Sequence, residues 1–328
     1  MGLRGRTRLL ITAAALTATL ACVSGAGAPV ASASLPPEEA LTYIPFGFVA
    51  NEHPPALVTE TLEALQAYGI GQNLLPLPKL KNDGRLKLNK RVLKMLSLWV
   101  SQTSAYNAAH GTDITAVASF AGKVKGKSLK LEEPSVRANI LAAVETVISL
   151  GLGGLSLDFE PYPTSHAYLE LLGEIDALFA RRGFTGRLAV VAPATAGRWS
   201  PQYVKEITPL VGQINPLFYD SERKTASAYE QWVREGLAYY SANTASATRI
   251  VPDLPSYGPN RWHDPSAENL GTATTATEAA LQEGSRVNGA GIWWWWGFYY
   301  DEEGEGAYEG APDRNTWLTR TLGVPFTP

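Results

Sequence analysis

The chain is poor in the residues that build covalent or metal-centred chemistry: its 328 residues include one cysteine, two methionines and four histidines. Cys22 lies in an N-terminal segment where Arg4, Arg6 and Arg8 precede an apolar, alanine-rich run from Leu9 to about Val23, followed by Ala31-Ser32-Ala33. That is the pattern of a secretory leader. Cleavage after Ala33 leaves a mature chain, residues 34–328, without cysteine, which excludes disulfides, thiol catalysis and zinc–thiolate sites from it. A lipoprotein reading with Cys22 as the lipidated residue fits less well, because the leucine of Thr19-Leu20-Ala21 is one position out. His53, His110, His166 and His263 are scattered and form no ligand spacing, so no metal is expected. Long apolar runs are also missing after the leader. Nothing approaches the roughly 20 continuous apolar residues that a membrane span needs, so a soluble, secreted protein is expected. Positive charge is scarce as well: losing the leader removes three arginines and no acids, taking the formal charge from −3 to −6. Such a surface disfavours nucleic acid.

What is present is a regular alternation. From residue 41 onward, β-like runs alternate with amphipathic helical stretches, without a linker or a break in composition. The strand candidates are Leu41 to Val49, Gly71 to Leu75, Asp113 to Phe120, Gly154 to Phe159, Arg187 to Ala192, Gln213 to Tyr219, Arg249 to Leu254 and Ala290 to Trp296. Helical patterns fall between them, over Ala56 to Tyr68, Lys90 to Ala109, Ser135 to Leu150, Ser165 to Arg181, Pro201 to Val211, Ala226 to Tyr240 and Thr277 to Gly284, and a last one over Arg314 to Leu322 closes the chain. Eight βα units in one α/β domain are the pattern of a single (β/α)8 TIM barrel. An open doubly wound sheet would more often carry a glycine-rich phosphate loop after its first strand, and this chain has neither GxGxxG nor GxxxxGK[ST].

The fourth strand carries the chemistry. In Gly154-Leu155-Ser156-Leu157-Asp158-Phe159-Glu160 the polar residues fall at every second position, so Ser156, Asp158 and Glu160 project to one face and Leu155, Leu157 and Phe159 to the other. Carboxylates at i and i+2 sit about 6 to 7 Å apart at the backbone. That is close enough for one charge to raise the other's pKa and keep a carboxylic acid protonated near neutrality. Barrel active sites lie at the carboxyl ends of strands, where this pair stands. The competing reading is a strand end with two solvated acids.

This run resembles the strand-four signature D-G-x-D-x-D-x-E of glycoside hydrolase family 18, with the last two acids matching. Four further stretches resemble that family's motifs in order: Ser119-Phe120-Ala121-Gly122 at strand three, Leu217-Phe218-Tyr219-Asp220 at strand six, Leu254-Pro255-Ser256-Tyr257-Gly258 at strand seven, and Gly291-Ile292-Trp293-Trp294-Trp295 at strand eight. The resemblance spans residues 41 to about 300. It implies a substrate-assisted retaining glycosidase, an exception to the usual two-carboxylate scheme, acting on oligo- or polysaccharides that contain β-linked N-acetylglucosamine, such as chitin, peptidoglycan or N-glycans. It implies Glu160 as proton donor, Asp158 as the group that orients the acetamido nucleophile, and Tyr219 as its hydrogen-bond partner. Ser156, Asp220, Tyr257 and Trp295 are expected to line the substrate, with Trp295 as the floor under the sugar. No cofactor is implied, and the protein is expected to act as a monomer.

The departures carry expectations of their own. Gly153 and Ser156 replace the first and middle aspartates, which removes a like-charge neighbour of Asp158 and is expected to leave it more readily ionised. Only about 30 residues separate Tyr257 from the eighth strand, too few for the α+β insertion of many chitinases, so an open cleft is expected. A noncatalytic carbohydrate-binding barrel is the alternative that Ser156 motivates. A barrel glycosidase built on Asn-Glu-Pro fits less well, since Phe159 stands where asparagine should and the seventh strand has no glutamate. The run Asp301 to Glu305 lacks the ligand order of a calcium loop and reads as a solvated loop.

Overall fold

The computed structural model describes residues 40–125, 128–293, 295 and 317. The leader and the acidic run Asp301 to Glu305 lie outside these residues, as does the closing helix apart from Trp317.

Nine parallel strands make one closed sheet: β1 (Leu41–Tyr43), β2 (Gln72–Pro76), β3 (Thr115–Lys123), β4 (Gly154–Glu160), β5 (Arg187–Pro193), β6 (Gln213–Leu217), β7 (Arg249–Ile250), β8 (Asp253–Pro255) and β9 (Gly291–Trp293). The order is β5-β4-β3-β2-β1-β9-β8-β6-β7, and pairing of β5 with β6 closes the ring. β7 and β8 are two pieces of one stave, both paired to β6 and interrupted at Val251-Pro252, where proline has no N–H for the ladder. The barrel therefore has eight staves, the expected (β/α)8 architecture.

Helices α1 (Gly47–Ala50), α2 (Pro55–Ala67), α3 (Lys90–His110), α4 (Pro134–Leu150), α5 (His166–Arg182), α6 (Pro201–Ile207), α7 (Ala226–Asn243) and α8 (Leu270–Gln282) fill the connections. Their starts follow local chemistry. Asn89 accepts from the N–H of Val92 at 2.9 Å to open α3, and Asn269 with Thr272 forms a reciprocal capping box on α8. The first strand and α8 are among the elements that differ from the sequence pattern. The first strand stops at Tyr43 rather than Val49, because Pro45 interrupts the ladder and Phe46 turns the chain into α1. α8 begins at Leu270, seven residues before the expected Thr277, because the Asn269 cap sets its start.

Alternation along the strands divides the core in two. Leu155, Leu157 and Phe159 join the large apolar cluster between barrel and helices, while Leu41, Tyr43, Leu74, Val117 and Val251 meet inside the barrel, with Trp293 against them. The interior also carries a polar ladder. Arg187 Nη1 donates to Gln213 Oε1 (3.0 Å), Gln213 Nε2 to Asn215 Oδ1 (3.2 Å), and Asn215 Nδ2 to Asp253 Oδ1 (3.4 Å). Tyr43 closes it from the other side, its hydroxyl donating to Asp253 Oδ2 at 2.7 Å. No described helix is long and apolar enough to cross a membrane.

Candidate active site

β4 delivers Ser156, Asp158 and Glu160 in sequence up the inner wall, and their exposure rises with height. Ser156 is fully buried, Asp158 half-buried and Glu160 exposed at the rim. The strand is held over its whole length by β3, where Ser119 pairs with Ser156, Ala121 with Asp158 and Lys123 with Glu160. Past Glu160 the chain is pinned by the indole of buried Trp199, which donates to the carbonyl of Pro163 at 2.9 Å.

Burial comes first among the causes that push the Asp158 carboxyl up to about 7, the charge of Glu160 adds to it, and Lys79 opposes it. With serine in place of the middle acid, desolvation is the largest cause that holds the Asp158 carboxyl up. The Tyr219 hydroxyl is held well above its ordinary value, by burial and then by Asp158, so it stays a neutral donor.

The opposite wall is built by the segments after β6 and β8. Tyr219 stacks on Trp293 with ring centroids 5.2 Å apart and 14° between planes, and meets the Tyr257 ring edge-on at 6.3 Å. Asp220 adopts φ 53°, a left-handed conformation that aspartate tolerates better than most residues. Its carboxylate accepts from the Tyr257 hydroxyl at 2.8 Å and from Asn260 Nδ2 at 3.1 Å. Below it, fully buried His263 stacks on Tyr257 at 4.1 Å, with Nδ1 2.7 Å from Glu268 Oε1 and Nε2 3.0 Å from the Tyr257 carbonyl. Ser221 donates to the other Glu268 oxygen through its N–H at 2.9 Å and through its hydroxyl. Ligand atoms of Asp220, His263 and Glu268 lie within 4.8 Å of one another, but hydrogen bonds already engage them, and the knot acts as a strut under Tyr257. A cleft of about 480 Å3 runs past Tyr162, Arg198, Tyr219 and Asp220.

No family model matches the chain, and no curated protein matches it. Solved structures do. The spore cortex-lytic enzyme SleL of Bacillus megaterium QM B1551 superposes with a TM-score of 0.58 at 14% identity, over 80% of this chain and 72% of its own. A class V chitinase from Pseudomonas fluorescens Pf-5 gives 0.58 at 14% identity, over 87% of this chain and 99% of its own. The catalytic domain of a family GH18 chitinase from the fern Peteris ryukyuensis gives 0.57 at 13% identity, over 85% and 99%. The chain has the family 18 chitinase fold. At these identities the likeness is one of fold, and the chemistry of the site stands on the residues themselves.

Within this family 18 fold, Asp158, Glu160, Tyr219, Asp220 and Tyr257 come together around the barrel mouth. Two residues do not take their expected places. Trp295 is 0% exposed and sits in the outer cluster, 6.3 Å from the ring of Tyr68 at the end of α2. The strand ends at Trp293, so alternation does not carry on to Trp295, and Trp293 is the indole on the inner face beside Tyr219 and Tyr43. Ser156 is 0% exposed beneath Asp158, its hydroxyl without a partner, out of reach of a substrate. Asp253, on the seventh stave, is not among the residues the sequence singles out. Its signal was its position, two residues after inward-facing Val251.

Proposed function

We propose that the protein is a secreted glycoside hydrolase that cleaves β-linked N-acetylglucosamine-containing glycans by a substrate-assisted retaining mechanism. The observation that carries this is the half-buried Asp158 beside rim-exposed Glu160, facing a wall of Tyr219 and Trp293. Glu160 protonates the glycosidic oxygen, and the sugar's own acetamido oxygen attacks the anomeric carbon. Asp158, as the anion, accepts from the acetamido N–H and stabilises the positive charge of the cyclic intermediate. Tyr219 donates to the acetamido oxygen, a role suited to a phenol that burial keeps neutral. Trp293, in the place expected of Trp295, supports the apolar face of the sugar. Water activated by Glu160, now the base, opens the intermediate.

The two acids divide their work by environment: Asp158 is sheltered by the barrel wall, whereas Glu160 reaches the solvent from which the aglycone and then water arrive. Residues 256–269 and α8 account for the interval between β8 and α8's end, with no additional strand among the described residues, which supports an open cleft accepting bulky or internal glycan segments.

The test is mass spectrometry of products after incubating the mature protein and its Glu160→Gln variant with N-acetylglucosamine oligomers, peptidoglycan fragments and a high-mannose glycopeptide. Cleavage by the wild type alone supports the proposal and names the substrate class. Binding without cleavage by the wild type would favour a carbohydrate-binding protein instead.

A further inference from the structure

Two residues beside the barrel mouth, Arg198 and Trp232, have no part in the mechanism above. Both line the cleft of about 480 Å3 that also contains Tyr162, Tyr219 and Asp220, so the cleft shares Tyr219 with the candidate active site. Pro193, Leu217 and half-buried Trp232 supply its apolar side. The Trp232 indole packs edge-on to Phe218 at 5.4 Å and tilted to Tyr229 at 5.9 Å, and the part that this packing leaves uncovered faces the cleft.

Arg198 is exposed, yet its place in the chain is fixed. It immediately precedes fully buried Trp199, whose indole donates to the Pro163 carbonyl, whose own carbonyl accepts from the Tyr239 hydroxyl at 2.5 Å, and whose ring meets Tyr203 edge-on at 5.6 Å. The guanidinium lies over the Tyr162 ring, its Cζ 5.9 Å from the centroid. A guanidinium held against a ring face keeps its in-plane N–H donors for another acceptor. None is supplied: among the described residues Arg198 makes no ion pair and no hydrogen bond. Asp220, the acid of the lining, turns Oδ1 to Tyr257 and Asn260 instead.

We propose that this cleft is a subsite for an acidic sugar of the bound glycan, with Arg198 as the specificity-determining residue that pairs with the sugar's carboxylate while Trp232 and Leu217 meet its apolar parts. This deepens the proposed hydrolase reading and rests on it for placing a glycan at the barrel mouth. The charge fits a monoanion. One guanidinium meets one carboxylate through two parallel hydrogen bonds, whereas Asp220 in the same cleft disfavours a doubly charged phosphate. A neutral chain leaves the guanidinium donors to water, so selection falls on glycans in which N-acetylglucosamine alternates with a carboxylated sugar. The carboxylate belongs to a lactyl ether, as on N-acetylmuramic acid, or to the ring carbon of a uronic acid.

The test is calorimetric titration of the mature chain on a Glu160→Gln background, which needs no turnover. One tetrasaccharide alternates N-acetylglucosamine with N-acetylmuramic acid, another alternates it with glucuronic acid, and each is compared with the same oligomer whose carboxyls have been converted to amides. The readout is the ratio of affinities for acid and amide, which a general loss of folding or of sugar contact does not create. With Arg198 in place, an acid is expected to bind about tenfold tighter than its amide. Arg198→Lys should keep part of that ratio, as a point charge without the fork, and Arg198→Gln should bring it to about one. A raised ratio for the muramic chain supports the proposal with the lactyl group as ligand, and one for the glucuronic chain supports it with the ring carboxylate. Ratios near one for both acids, or a preference that survives Arg198→Gln, overturn it. Product analysis with the wild-type protein keeps the two readings apart: an arginine-dependent ratio without cleavage of any oligomer upholds the subsite and sinks the hydrolase, and cleavage with ratios near one does the reverse.

Discussion

Replacing Trp295 with alanine should damage the fold and spare the site, while replacing Trp293 should do the reverse. Trp295 is 0% exposed in the cluster between barrel and helices, edge-on to Tyr68. Truncating a buried tryptophan costs about 3 to 5 kcal/mol in lost burial and residual cavity. At about 2 to 4 °C per kcal/mol for a domain approaching this size, the melting temperature should fall by roughly 6 to 20 °C. Trp293 is half-buried, and its ring contacts include an edge to Tyr43 and a stack on Tyr219. Aromatic pairs contribute about 0.5 to 1.5 kcal/mol each beyond their burial, so its removal should lower stability by a smaller amount. The larger effect is on sugar affinity: losing a stacking platform worth about 1.4 kcal/mol weakens binding tenfold. Urea unfolding of both variants, with calorimetric titration of an N-acetylglucosamine oligomer into each on a Glu160→Gln background, separates the two roles. A Trp295→Ala protein of wild-type stability that no longer binds sugar would refute the assignment, as would undiminished affinity in Trp293→Ala.

Three other outcomes follow from the barrel interior and its rim. With its carboxyl up to about 7 in the folded protein, Asp253 keeps a proton between pH 4 and 7 that the unfolded chain releases. The folded state then binds more protons than the unfolded one, so this group makes stability fall as pH rises through that window, by up to roughly 4 kcal/mol. Asp253→Asn should therefore gain stability relative to wild type between pH 4.5 and 8 in urea unfolding, and parallel curves would contradict this. Gly291→Ala should destabilise by about 1 to 3 kcal/mol or more, because its Cβ collides with Asp253 and Leu41; an unchanged melting temperature would show that the interior yields. Glu268→Ala leaves His263 buried without its partner and should cost about 3 to 5 kcal/mol, read as a lower urea midpoint, whereas a loss under 1 kcal/mol would show that the strut under Tyr257 is dispensable.

The barrel was legible because period-two and helical periodicities are local properties, and the order of β and α segments follows from them. The Asp158–Glu160 pair was legible for the same reason: seven residues of one strand contain it. What local pattern could not supply was where a strand ends. Alternation places Trp293 and Trp295 on one face only while the strand lasts, and the ladder stops at Trp293. The first strand was likewise read through Pro45 into what is α1. Asp253 was hidden for a different reason. Its meaning comes from Tyr43, 210 positions away, and from the absent side chain at Gly291, and neither contact leaves a trace in the sequence around it. Burial acts on Asp158 in the same way: the sequence shows the charge of Glu160 two residues on, and only the closed barrel shows the desolvation that is the larger cause.

The most direct measurement of the central claim is time-resolved 1H NMR of the anomeric protons during digestion of an N-acetylglucosamine oligomer by the mature protein. Attack by the substrate's acetamido group followed by water returns the original configuration, so the β anomer should appear first and mutarotate to the α anomer afterwards. An α anomer formed first, or an oligomer left intact by protein that binds it, would contradict the account.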